Sequence, residues 1–212
     1  MKVSVSFLSD KFKDTDIIKK INDTDADFVH VDVMDGKFVK NKTYSIGEID
    51  NLSKYMTKPL DVHLMVNNPT KYIEKLALLN VEYITFHYES IKNIDEVIDL
   101  IHNCGLKAGI SIKPSTNASE IIKYLDKLDL ILVMSVEPGK SGQSFMNSVI
   151  YKIESLKKII DEKGYKTIIS VDGGINDETA KLVKDKGASM VVSASYLHDG
   201  DMKSKVLLLK DI

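Results

Sequence analysis

The sequence predicts an α/β protein, a single (β/α)8 barrel domain over residues 1–212. Three observations predict it. Eight short β-like runs alternate with longer helix-like runs, the pattern of a parallel sheet. Eight such units in 212 residues fit a compact barrel near the lower size limit of that fold. An open doubly wound sheet is the alternative, and no G-x-G-x-x-G follows the first run.

In chain order the β-like runs are Lys2–Ser6, Phe28–Val33, Leu60–Met65, Tyr83–Phe86, Lys107–Ile112, Leu130–Met134, Thr167–Val171 and Met190–Ser193. Between them, helical spacing covers Pro69–Leu79, Ile94–Asn103, Ala118–Leu125, Phe145–Lys163 and Asp177–Lys186. Gly105, Gly164 and Gly187 stand where a helix C-cap glycine would. No Pro/Gly/Ser-rich linker, low-complexity tract or abrupt shift in composition interrupts the alternation.

Composition narrows the function classes. Net charge is −2, so there is no overall basic footprint for nucleic acid. No apolar run approaches the ~20 residues that span a bilayer. The start, Met1-Lys2-Val3-Ser4-Val5, enters an alternating pattern directly and lacks a leader's apolar stretch, so a cytosolic location is expected. The single cysteine, Cys104, can form no internal disulfide and reads as a half-buried structural thiol.

Residues i and i+2 of a strand share a face. His30, Asp32 and Met34 therefore point one way, and Val29, Val31 and Val33 the other. Asp61, His63 and Met65 repeat the polar face on the next strand. β-Branched apolar residues suit the helix-facing side, so the polar set points into the barrel. Its members approach the C-terminal strand ends, where active sites of this fold are built. Asp172 stands near the end of the seventh strand.

A lone inward histidine is commonly a satisfied core residue. Two in phase with two aspartates are different, because four buried ionisable groups without a cation cost several kcal/mol. His30, Asp32, His63 and Asp172 thus suit one divalent ion, Zn²⁺ or Fe²⁺, with Mn²⁺ or Co²⁺ as alternatives. Strands two and seven lie three steps apart around the ring. Asp32 and Asp172 then approach a central ligand from opposite sides, the geometry for moving a proton from one face of a carbon to the other.

Two loops complete the reading. Asp172-Gly173-Gly174-Ile175-Asn176 precedes a helix, and the eighth strand ends in Ser193-Ala194-Ser195. Loops seven and eight are the usual phosphate site of such barrels. The sixth loop, Met134 to Gln143 with Pro138-Gly139, is long enough for a lid.

HVDVMDG (His30 to Gly36), DVHLM (Asp61 to Met65), MSVEPG with SGQSF (Met134 to Phe145) and VDGGIN (Val171 to Asn176) together resemble the ribulose-phosphate 3-epimerase family. Ser4-x-Ser6 resembles its first-strand motif, and the match runs in order along nearly the whole chain. The resemblance implies a ribulose-phosphate-binding barrel with His30, Asp32, His63 and Asp172 on a metal and Asp32 and Asp172 as acid and base. It implies that Met34, Met65 and Met134 surround the reaction centre, that Ser6 contacts substrate or orders the metal site, and that His87 lines the cleft. Gly142, Gly173, Gly174, Ala194 and Ser195 match its phosphate-binding positions.

The chain departs from the family pattern in places. Val5 and Lys40 stand where the family usually has proline. Lys140 and Ser141 replace an aromatic residue and a glycine or alanine, and Ala194 replaces a glycine. If that turn needs φ > 0, alanine there is strained.

The activity implied is interconversion of D-ribulose 5-phosphate and D-xylulose 5-phosphate by proton transfer at C3 through an enediolate, in a homo-oligomer, most simply a dimer. The related epimerase of D-allulose 6-phosphate is the alternative, suggested by Asn41 to Ser45 and Thr57 to Asp61. A non-catalytic sugar-phosphate-binding barrel is the third reading, opposed by intact Asp32 and Asp172. Related barrel decarboxylases carry Asp-x-Lys-x-x-Asp, and Met34 stands where their lysine would be.

Overall fold

The computed structural model of the chain describes residues 1–7 and 15–212. Its strands are β1 (Lys2–Ser6), β2 (Phe28–Met34), β3 (Leu60–Met65), β4 (Val81–His87), β5 (Lys107–Ile112), β6 (Leu130–Met134), β7 (Ile168–Asp172) and β8 (Met190–Ser193). They close in sequence order into a barrel in which every neighbour is parallel, β8 returning to β1 through Lys2 beside Met190. The helices are α1 (Thr15–Asn22), α2 (Ile46–Ser53), α3 (Thr70–Leu76), α4 (Ile94–Asn103), α5 (Ile150–Lys163), α6 (Asp177–Asp185), α7 (Ser195–His198) and α8 (Met202–Asp211).

The period-2 alternation sorts the strand residues into two cores. Val29, Val31, Val33, Val62, Leu64, Ile84, Phe86, Ile110, Val133 and Val171 face outward and bury against helix residues such as Ile49, Ile73, Ile98, Leu156, Val183 and Val206. Inside the barrel, Phe28, Tyr83, Leu130, Leu132, Met134, Met190 and Val192 form a smaller cluster. The Phe28 and Tyr83 rings meet edge to face at 5.4 Å. Because Phe28, Tyr83, Leu130 and Met190 lie toward the N-terminal strand ends, they fill that end. The polar inward residues are left for the opposite mouth.

Several elements differ from their sequence-based bounds. Ala118–Lys127 is 3₁₀ rather than α-helical. Its buried Ile121 and Tyr124 are three apart, the spacing that eclipses on a 3₁₀ helix. The helix expected from Phe145 starts at Ile150, preceded by a 3₁₀ turn at Asn147–Val149, and the one expected over Pro69–Leu79 spans Thr70–Leu76. β4 reaches His87 and β7 reaches Asp172, so both residues are strand-borne. Gly164 caps α5 in the left-handed region, φ 68°.

Candidate active site and metal centre

Strand register assembles the site. Asp32 on β2 lies beside His63 on β3, and one step deeper His30 lies beside Asp61. Across the barrel, Asp172 ends β7, flanked by Met134 on β6 and Val192 on β8. One donor atom from each of His30, Asp32, His63 and Asp172 lies within 4.8 Å of all the others. The imidazoles are fully buried, while the Asp32 and Asp172 side chains are 22% and 19% exposed toward the mouth.

The protons of this cluster can be placed by following the hydrogen bonds. His30 Nδ1 lies 2.7 Å from Asp61 Oδ2, which also accepts from Ser4 Oγ at 3.0 Å. The N–H of His30 therefore points away from the cluster. Its Nε2 lies 3.3 Å from Asp32 Oδ1 and 3.9 Å from Asp172 Oδ2, hydrogen-bonded to neither. On His63, Nε2 meets His87 Nε2 at 2.9 Å and Nδ1 faces Asp32 Oδ1 at 3.0 Å. His87 Nδ1 meets the Glu89 carboxylate at 3.0 Å, so His87 carries its proton there and receives one from His63. With both rings neutral, as ligands to a cation must be, His30 Nε2 and His63 Nδ1 aim lone pairs at Asp32. Two lone pairs and two carboxylates converging on one point call for a positive charge, and the N₂O₂ donor set fits a divalent cation.

The titration behaviour has the same cause. Burial pulls His30 down, but the charges of Asp61 and Asp32 more than reverse it and hold it well above the ordinary imidazole range. Burial pushes Asp32 up, yet the imidazoles against it, His30 above all, hold it far below the usual carboxylate range. Asp172, with burial dominant and Asp32 nearby, is pushed up to about 6. Burial takes His87 down to about 4, against the pull of Glu89. Glu89, despite burial, is held at about 2 by bonds from His87, the Lys113 amide and Thr116.

Above the cluster opens a cleft of about 440 Å³. Ser6, Asp32, Met34, Met65, Met134, Gly142, Asp172, Gly173, Gly174, Ala194 and Ser195 all line it, as does Lys140. His87 is placed elsewhere. It is fully buried behind His63 and is not among the described residues of the cleft wall. Gly173 (φ 120°) and Gly174 (φ 62°) have no room for a side chain, since a Cβ would lie 2.5 Å from Val136 Cγ2 and 2.6 Å from the Phe145 amide nitrogen. The phosphate-loop candidate thus packs directly on the sixth loop. Ser135 ties the two further, its hydroxyl donating to the Asp172 and Gly173 carbonyls at 2.8 and 2.6 Å. Ala194 has φ −116°, so alanine carries no left-handed strain there, against the expectation for a turn with φ > 0.

Asp61 and Glu89 had no role assigned from sequence. Asp61 carried a signal, an inward carboxylate two residues before His63 and beside His30 once strands pair in register. Glu89 lies past the end of β4 in a 3₁₀ turn, where no strand periodicity announces its direction.

Fold and site together define an enzyme class: a parallel barrel with two opposed carboxylates and a candidate cation centre at its C-terminal mouth. A profile of the ribulose-phosphate 3 epimerase family matches residues 2–198. Proteins named ribulose-phosphate 3-epimerase from Bacillus subtilis and Methanocaldococcus jannaschii are each 39% identical, over 98% and 100% of this chain and 96% and 90% of theirs. One from Chlamydia pneumoniae is 38% identical over 91% of this chain and 86% of its own. The chain belongs to the ribulose-phosphate 3-epimerase family, and its class is that of an isomerase. In fold it is similar to Mycobacterium tuberculosis tryptophan synthase, with TM-score 0.72, 11% identity and 99% and 91% of the two chains covered. The tryptophan synthase A-subunit of Pyrococcus furiosus gives 0.70, 13%, 100% and 98%.

Proposed function

We propose that the chain is a metal-dependent 3-epimerase that interconverts D-ribulose 5-phosphate and D-xylulose 5-phosphate. One observation carries the reading. Asp32 and Asp172 reach one point from β2 and β7, with His30 and His63 completing a four-donor cluster within 4.8 Å.

The C3 proton of a ketose phosphate is too weakly acidic for an unaided carboxylate. His30, Asp32, His63 and Asp172 would hold a divalent ion there, and its Lewis-acid charge would lower this barrier. One aspartate takes the C3 proton and leaves an enediolate. The other returns a proton to the opposite face, inverting the centre. Met34, Met65 and Met134 line the cleft with apolar surface that keeps water from the reacting carbon, and Ser6 offers a hydroxyl to the sugar oxygens. The phosphate lies against Gly142, Gly173, Gly174, Ala194 and Ser195, with Lys140 adding charge from the lid. That grip holds C3 between the carboxylates.

A second reading is the D-allulose 6-phosphate epimerase, one carbon longer. A side lobe of about 430 Å³, lined by Asn41, Lys42, Tyr44 and Ser141, opens beside Asp32 and Met34 and offers room for that carbon. Comparing kcat/KM on the two ketose phosphates with metal-replete enzyme decides between them. A higher value on the pentulose supports the first reading and the reverse ratio the second. Absence of turnover on both leaves a binding barrel. The reading includes a cytosolic homo-oligomer, for which light scattering at micromolar concentration should give a multiple of 23.7 kDa.

A further inference from the structure

We infer that His87 and Glu89 are positioning residues that set the tautomer of His63 and so aim its Nδ1 lone pair at the metal position. This rests on the metal reading above. The chain of contacts runs from the cluster to the edge of the barrel. His63 Nε2 meets His87 Nε2 at 2.9 Å, and His87 Nδ1 meets Glu89 Oε2 at 3.0 Å. The other Glu89 oxygen accepts from the Lys113 amide at 2.9 Å and from the Thr116 hydroxyl. Phe38 covers His87, ring centroids 4.7 Å apart, and both imidazoles are fully buried, so water does not compete for these protons.

The polarity of the chain is fixed from its far end. The Lys113 amide can only donate, so it must face an acceptor. A carboxylate accepts on both oxygens, so His87 Nδ1 must donate to Glu89. Neutral His87 then has a lone pair on Nε2 and must accept from His63 Nε2. That leaves His63 Nδ1 without a proton, facing Asp32 Oδ1 at 3.0 Å. A partner that holds a ligating histidine in one tautomer is typically worth ten- to a hundredfold in metal affinity.

The logic makes Glu89→Gln an inverting substitution. The Lys113 amide keeps the glutamine oxygen on its own side, which turns the NH₂ toward His87. His87 Nδ1 must then accept, its Nε2 must donate to His63, and His63 carries its proton on Nδ1 where the metal belongs. Zn²⁺ affinity of full-length protein, measured by competition with a chromophoric chelator, is expected to fall at least tenfold in Glu89→Gln. The melting temperature of the metal-free variant should stay within a few degrees of the parent. Long-range ¹⁵N–¹H spectra of Zn²⁺-loaded parent protein should show His87 protonated on Nδ1, a readout that needs no variant. Equal Zn²⁺ affinity in parent and Glu89→Gln, or His87 protonated on Nε2 in the parent, overturns the relay. A parent that binds no Zn²⁺ overturns the metal reading itself, and the relay's role with it.

Discussion

In the proposed mechanism Asp32 and Asp172 carry two duties each, a ligand charge and a proton, and neither duty survives conversion to an amide. Asp32→Asn and Asp172→Asn are each expected to lose at least about three orders of magnitude in kcat. Steady-state kinetics checks this, and a variant keeping half its rate removes that aspartate from the chemistry. Ala194 is a milder case. Its φ of −116° suits any L-residue and its amide remains at the cleft, so Ala194→Gly should change KM by no more than about fivefold. The inward residues His30, Asp32, His63 and Asp172 were legible in sequence because strand period 2 separates them from the valines between. The partners that orient them were not. Asp61 meets His30 only through the β2–β3 register, and Glu89 meets His87 through a turn, and neither distance is written in a linear pattern.

The loops after β6 and β7 act as one unit. Gly174 has φ 62°, and a Cβ there would fall 2.6 Å from the Phe145 backbone. Alanine at this position costs about 1–2 kcal/mol from backbone conformation alone, and it must also push the sixth loop away. Gly174→Ala should lower stability in denaturant unfolding by at least that amount and raise KM at least tenfold. Unchanged KM would detach this contact from substrate binding. The sixth loop is also latched to the β2–α2 connection, where the Asn41 side chain donates to the Gly139 carbonyl at 2.7 Å and Val39 sits where a Gly139 Cβ would go. Lys140 lines the cleft from this loop as an exposed cation. Lys140→Ala should raise KM for phosphorylated substrate more than it lowers kcat, and most at low salt, where an ionic contact is least screened. Pro138-Gly139 announced a turn in sequence, but the docking of this loop onto Gly173 and Gly174 is a long-range contact invisible there. Local spacing likewise could not distinguish the 3₁₀ run Ala118–Lys127 from an α-helix, since both put Ile121 and Tyr124 on one face.

The whole barrel was legible because eight strand–helix units leave few closed topologies, and the parallel sheet in sequence order is the simplest. Its layering explains where function can sit. Apolar side chains plug the N-terminal end of the barrel, and the His30, Asp32, His63 and Asp172 cluster lies toward the mouth, where a cation would neutralise its carboxylates. Because imidazole and carboxylate ligands must be deprotonated to bind, the affinity for metal should fall as pH falls. Chelator competition at pH 6 and pH 8 should show weaker retention at pH 6, and a pH-independent affinity would argue against His30 and His63 as ligands. If opposed carboxylates exchange the C3 proton at a metal-bearing site, hydrogen from solvent must enter the sugar at that carbon. In D₂O, metal-replete protein should place deuterium at C3 of ribulose 5-phosphate, and chelation, Asp32→Asn or Asp172→Asn should each abolish uptake. Epimerisation without deuterium at C3 would rule out proton exchange by Asp32 and Asp172, and undiminished uptake by metal-free protein would rule out a role for the cation.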